Sequence, residues 1–151
     1  MAVAQPQLWP APAHHEGQGL MQVQTGDAFA VYGLLRAGES GFARFGLENA
    51  FAPLGPCTLR GQLYDLGAYP GLVDGAGSVV GELFEVRDAS VMPKVDAFED
   101  YWPEDPARSR YVRKKVRLIE PDRDAWVYIW VLGVETARLI PSGDWFKRET
   151  D

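Results

Sequence analysis

Thiol and imidazole are scarce in this chain of 151 residues, which has one cysteine, Cys57, and two histidines, His14 and His15. A lone cysteine cannot form an internal disulfide, which excludes a disulfide-stapled module and favours a reducing compartment. Cys57 itself reads as a small buried hydrophobe. The histidines fall in residues 1–26, a stretch of Pro, Gln and Gly without periodicity that reads as a loosely ordered extension. No Cys or carboxylate cluster stands near them at metal-site spacing, so neither metal nor cofactor is expected. With imidazole confined to the extension, the folded part has no Ser-His-Asp or Cys-His arrangement. Proton transfer there falls to carboxylates, lysines or tyrosines.

Positive charge is also short. The formal charge is -6, which opposes binding to a polyanion because lysine and arginine supply most non-specific nucleic-acid affinity. No apolar run reaches membrane-spanning length. The first residues lack the basic start and sustained apolar segment of a secretory signal, so the cytoplasm is the expected location. With 46% hydrophobic and 24% charged residues, the composition is that of one globular domain, expected over residues 27–151.

What is present begins with Phe29-Ala-Val-Tyr-Gly-Leu-Leu-Arg36, read as a buried strand feeding a tight loop at Gly33. The amides of Leu34, Leu35 and Arg36 could converge there on a carboxylate or an oxyanion; a plain turn is the alternative. Residues 40–50 place Phe42, Phe45 and Asn49 near one helical face, and Pro53, Gly55 and Pro56 are expected to end that element. Residues 58–65 alternate as a half-buried strand. The Gly- and Pro-rich segment 66–74 reads as a loop in which Tyr69-Pro70 could wall a pocket, the alternative being that Tyr69 packs on the core. The glycines of 75–81 resemble a dinucleotide loop only superficially: the spacing is one residue too long and a strand, 78–86, follows. A connection between strands is expected instead.

The segment 90–101 predicts a helix with Ser90 as N-cap and Pro93 in its first turn. Val91, Met92, Val95 and Phe98 recur at helical spacing. At about 100° per residue Glu99 projects into that apolar stripe, with Asp96 at its edge. Burial disfavours the ionised form of a carboxylic acid, which makes Glu99 a candidate general base. The competing reading pairs it with an arginine such as Arg110 or Arg113. Residues 109–120 and 124–132 predict a hairpin across the turn at 121–124, with Tyr111, Arg113, Lys115 and Arg117 sharing a face expected to be solvated. Residues 140–146 read as a compact turn with aromatic anchors.

Taken in order, VYGLLR at 31–36, GQLYDLGAYP at 61–70, GELFEV at 81–86, DAFE at 96–99, YVR at 111–113 and PSGDW at 141–145 resemble the gamma-glutamylcyclotransferase-like, or AIG2-like, family. The resemblance covers residues 29–146. It implies an α+β fold, a mixed, mainly antiparallel barrel-like sheet with flanking short helices and a cavity at the strand-loop. It implies a cofactor-independent transferase or lyase in which Glu99 is the general acid/base. The products would be 5-oxoproline and an amine or amino acid. Tyr32, Gly33, Leu34, Leu35 and Arg36 match the substrate-binding loop, and Tyr111 matches a tyrosine near the pocket; Tyr69 completes the expected substrate contacts. Leu34 stands where the family usually has Ser or Thr, so its amide, but no hydroxyl, is available to substrate. The expected partner is a small γ-glutamyl compound, with no nucleic acid and no membrane, on a monomer or weak homodimer. A non-catalytic binding or interaction module and an amide hydrolase are the alternatives.

Overall fold

A computed structural model describes residues 22–33, 35–36 and 46–147. Six strands form one sheet: β1 (Ala28–Val31), β2 (Phe51–Asp65), β3 (Pro70–Val86), β4 (Tyr111–Arg117), β5 (Asp124–Trp130) and β6 (Arg138–Leu139), in the order β4-β5-β1-β3-β2-β6. Two short helices, α1 (Leu47–Ala50) and α2 (Met92–Phe98), accompany it. Only the β1–β5 pairing is parallel among these strands. The α+β class and the mainly antiparallel, partly closed sheet are as the resemblance implied. The curvature is visible at Thr58 of β2, whose amide donates to Glu120 O at 2.7 Å and whose carbonyl accepts from Ile119 at 2.9 Å. Those partners follow β4, at the other side of the sheet order.

β1 is buried along its whole length because both faces of the sheet are covered. Ala28 and Ala30 join one apolar cluster, with Leu59, Leu63 and Val127; Phe29 and Val31 join the other, with Phe51, Val95 and Tyr128. Small residues thus line one face and large ones the other, as the period of two requires.

The strand boundaries differ from expectation in two places. Pro53, Gly55 and Pro56 are not what ends the helix, which stops at Ala50; they lie inside β2, where a register shift falls between Pro53 and Gly55. The glycines of 75–81 are not a connection but the middle of β3, paired with β2 through Cys57↔Gly81 and Arg60↔Ser78. Glycine is tolerated there because it lets a neighbouring group approach closely: a Cβ on Gly81 would stand 2.8 Å from Val31 O. Of the expected helix at 40–50, residues 47–50 are helical, while Phe42 and Phe45 lie outside the described residues, as do His14 and His15. Within the expected extension, Val23 is buried and the Gly26 amide donates to Val86 O at 2.8 Å.

No helix among the described residues is long and apolar enough to cross a membrane. Cys57 is buried, and burial pushes its thiol up to about 12, which suits an inert core residue.

Candidate active site

α2 carries the acid. Its approach turn is capped by Asp88, whose carboxylate accepts from the Ser90 amide and hydroxyl, so Ser90 is the donor and not the cap. Pro93 lies in the first turn, where its missing amide leaves no bond unmade. Met92 and Val95 seat the helix on the sheet. At the far end the Tyr101 amide reaches Asp96 O at 2.9 Å and the Asp100 amide reaches Ala97 O at 3.0 Å. This is the Schellman closure, with Asp100 at φ 56 in the left-handed position that glycine usually fills. Glu99 is the residue between helix and closure, so its direction is set by two backbone bonds rather than by a free loop.

Asp96 is the buried acid with a cation. Arg113 approaches it with two nitrogens, Nε to Oδ1 at 3.0 Å and Nη2 to Oδ2 at 2.9 Å, and the Tyr128 hydroxyl donates to Oδ1. Arg113 and Tyr128 are direct cross-strand partners on β4 and β5, so hairpin register delivers both to one carboxylate. Arg113 is therefore not solvated, contrary to expectation for its face: 7% of its side chain is exposed. Arg110 pairs with Asp100 at 3.0 Å. Neither arginine is a partner of Glu99.

Glu99 borders a cavity of about 210 Å³. Tyr32, Gly33 and Leu35 form one wall, Tyr69 and Pro70 a second, and Phe98, Glu99 and Asp100 a third, with Arg110, Tyr111 and Tyr128 completing it. Glu99 is only half-buried as a residue, but its carboxyl is pushed up to about 8, first by burial and then by the charge of Asp96. Near neutrality that group exchanges a proton readily in either direction.

The tyrosines are struts as well as walls. Tyr32 donates to Tyr128 O at 2.6 Å and accepts from the Leu72 amide at 3.2 Å; burial, and then the charge of Glu99, raise its pKa well above normal. Tyr111 donates to Pro70 O at 2.6 Å, and burial raises its pKa too. Both hydroxyls stay protonated and fix the loop around Pro70. Tyr69 does what each sequence alternative proposed. Its ring lies 6.3 Å from those of Tyr111 and Trp130, and it lines the cavity.

Gly33 is needed for a reason the sequence did not disclose. Its φ is not left-handed; instead a Cβ there would fall 2.5 Å from Pro70 Cγ. The loop closes as a turn, with the Arg36 amide donating to Gly33 O at 2.9 Å, so that amide is unavailable to a ligand. Arg36 is also absent from the cavity wall. Its guanidinium is buried against Glu82 and Asp144, each at 3.0 Å, with its carbon 3.7 Å from the Phe146 ring centroid. It ties the loop to the turn at 141–145 and makes no wall of the cavity. Leu34 lies outside the described residues. Pro70 lines the cavity beside Tyr69, as the sequence suggested, whereas Tyr128 was not expected at the site. Counting back from the turn pairs 117 with 124 and hence 113 with 128, which would have found Tyr128.

The class defined by these features is a small α+β domain whose curved mixed sheet holds one acid, free of any cation among the described residues, on a largely apolar cavity. The chain belongs to the family described as gamma-glutamyl cyclotransferase, AIG2-like, whose sequence model matches residues 29–147. It is similar to a provisionally named gamma-glutamylcyclotransferase of Vibrio cholerae serotype O1, 39% identical over 120 residues that cover 78% of this chain and 94% of that protein. The solution structure of protein ytfP from Escherichia coli superposes with a TM-score of 0.59 at 31% identity, covering 82% of this chain and 99% of that one. An AIG2-like protein of Mus musculus shares the fold, with a TM-score of 0.58 at 20% identity over 85% of this chain and 87% of the other.

Proposed function

We propose that the chain is an enzyme that cyclises a γ-glutamyl amine or amino acid to 5-oxoproline and releases the amine. The observation that carries this reading is Glu99: a carboxyl on the wall of a cavity, titrating at about 8, with no ion-pair partner among the described residues. Ionised Glu99 takes one proton from the substrate's α-ammonium. The freed amine attacks its own γ-carbonyl carbon, forming the ring C–N bond and a tetrahedral oxyanion. The oxyanion collapses and the original C–N bond breaks. The ring nitrogen gives up a second proton, and both protons end on the leaving nitrogen, which departs as an ammonium.

The amides of Gly33 and Leu35 would serve the oxyanion or the substrate carboxylate, each well-placed donor contributing about 3 kcal/mol. Tyr32, Tyr69 and Tyr111 would enclose the substrate and exclude water. Nucleophile and electrophile share one molecule, so the protein has only to fold the substrate and move protons. The family membership and the names of the relatives support the same substrate class.

The test is release of 5-oxoproline from a panel of γ-glutamyl amides in H2¹⁸O. Cyclisation yields unlabelled 5-oxoproline that disappears with Glu99→Gln. Labelled glutamate would instead identify a hydrolase that uses Glu99 to activate water.

A further inference from the structure

The cavity has one cation among its described lining residues, Arg110, in a chain of net charge -6. Its surroundings are built rather than incidental. The Arg110 amide donates to Asp100 O at 2.9 Å and its carbonyl accepts from Val131 at 3.0 Å, so its backbone is fixed on both sides. Its Nε meets Asp100 Oδ2 at 3.0 Å and its Nη1 donates to Tyr69 Oη at 2.9 Å. The other oxygen of Asp100 is occupied by the Trp102 indole. Asp100 is the residue held at φ 56 beside Glu99, so the turn that aims the acid also aims the arginine.

With Nε and Nη1 engaged, the Nη2 edge has no partner among the described residues. About half of the side chain, 53%, is exposed, which places the guanidinium at the mouth. An ion pair that open adds little stability, so a contact with Asp100 held from both residues is better explained by orientation.

We infer that Arg110 reads a carboxylate on the leaving side of the substrate. The preferred compounds are then γ-glutamyl amino acids, not γ-glutamyl alkylamines. The inference rests on the cyclisation reading and specifies its substrate. The glutamyl end must lie inside, between Glu99 and the Gly33 loop, because the reacting nitrogen has to reach the acid. What projects towards Arg110 is therefore the amine about to leave. A planar guanidinium with an edge unengaged among the described residues suits a carboxylate, and the rings of Tyr69 and Tyr111, which line the same cavity, suit the side chain of the departing amino acid.

The experiment compares γ-glutamyl-L-alanine with γ-glutamyl-ethylamine, which differ by that carboxylate. The wild-type protein is expected to favour the alanine compound in kcat/KM by about tenfold, the contribution of one charge-assisted hydrogen bond. Arg110→Met brings the ratio close to one, and Arg110→Lys recovers part of it. A wild-type ratio near one overturns the inference. So does an Arg110→Met variant that weakens both compounds equally, which is the result expected if the arginine held the glutamyl α-carboxylate or merely braced Asp100.

Calorimetric binding of both compounds to Glu99→Gln, with and without Arg110→Met, separates this inference from the reading beneath it. If the wild-type protein turns over neither compound, the cyclisation reading falls. The binding ratio then still decides whether Arg110 recognises the carboxylate.

Discussion

Asp96 holds Arg113 through two nitrogens at 3.0 and 2.9 Å, and Glu99, three residues on, has no cation partner among the described residues. The two acids of the DAFE segment therefore do opposite work. The first is buried in a hydrogen-bonded ion pair with Arg113, and its charge raises the proton affinity of the second. Helical spacing brings both towards the sheet, and hairpin register decides which of them meets the arginine.

Replacing Asp96 with asparagine should shift the activity profile. It removes the negative charge and leaves Arg113 positive, and both changes favour ionised Glu99. The acid limb of kcat/KM for 5-oxoproline formation is expected to move to lower pH from its position near 8. The same variant should lose about 3 kcal/mol of stability in urea, the cost of breaking a buried ion pair from one side. An unmoved limb with full loss of stability would make Asp96 purely structural.

Glu99 should also mark the pH dependence of folding. Its carboxyl is raised from 4.5 to about 8 in the native state, so the folded chain binds more protons than the unfolded one between those values. Its contribution is fully present below pH 4.5 and is lost as pH rises to about 8. The stability of Glu99→Gln, followed by urea denaturation across this window, should fall less with pH than that of the wild-type chain. Its turnover should drop by about a hundredfold or more, the usual contribution of a positioned acid–base group.

The contact between Gly33 and Pro70 predicts a compensating pair. Gly33→Ala places a methyl 2.5 Å from Pro70 Cγ, an overlap expected to cost about 1–3 kcal/mol and to raise KM by displacing a cavity wall. Pro70→Ala should recover much of the loss in the double variant. A double-mutant cycle read by thermal denaturation checks this, and strict additivity would show that the two residues do not meet.

Arg36 should behave as a strut. Arg36→Met leaves Glu82 and Asp144 facing an apolar chain at a buried site, and a loss of about 3–5 kcal/mol is expected. Because Arg36 is absent from the cavity wall, the KM of the protein that remains folded should change little. A large rise in KM at unchanged stability would put the guanidinium back at the substrate.

The sequence by itself determined the opening strand and the helix stripe on which Glu99 lies. Phe29–Val31 was legible as a buried strand because apolar residues on both faces leave no polar side to turn outward. Val95 and Glu99 were legible on one stripe because an α-helix repeats every 3.6 residues. Such periodicities are local, and a chain states them in order.

What only the tertiary structure decided is which groups meet across the sheet. Three arginines at 36, 110 and 113 look alike in sequence. One is buried as a strut against Glu82 and Asp144, one stands at the mouth beside Asp100, and one neutralises Asp96. Gly33 was expected to serve a turn and is required by the ring of a proline 37 positions further on. The sequence likewise marked Pro53, Gly55 and Pro56 as the end of a helix and the glycines of 75–81 as a connection, whereas long-range pairing of β2 with β3 carries both stretches through the sheet. Pairing partners, ring contacts and the depth of a carboxyl depend on residues far apart in the chain, and their energies exist only once the sheet has curved to bring them together.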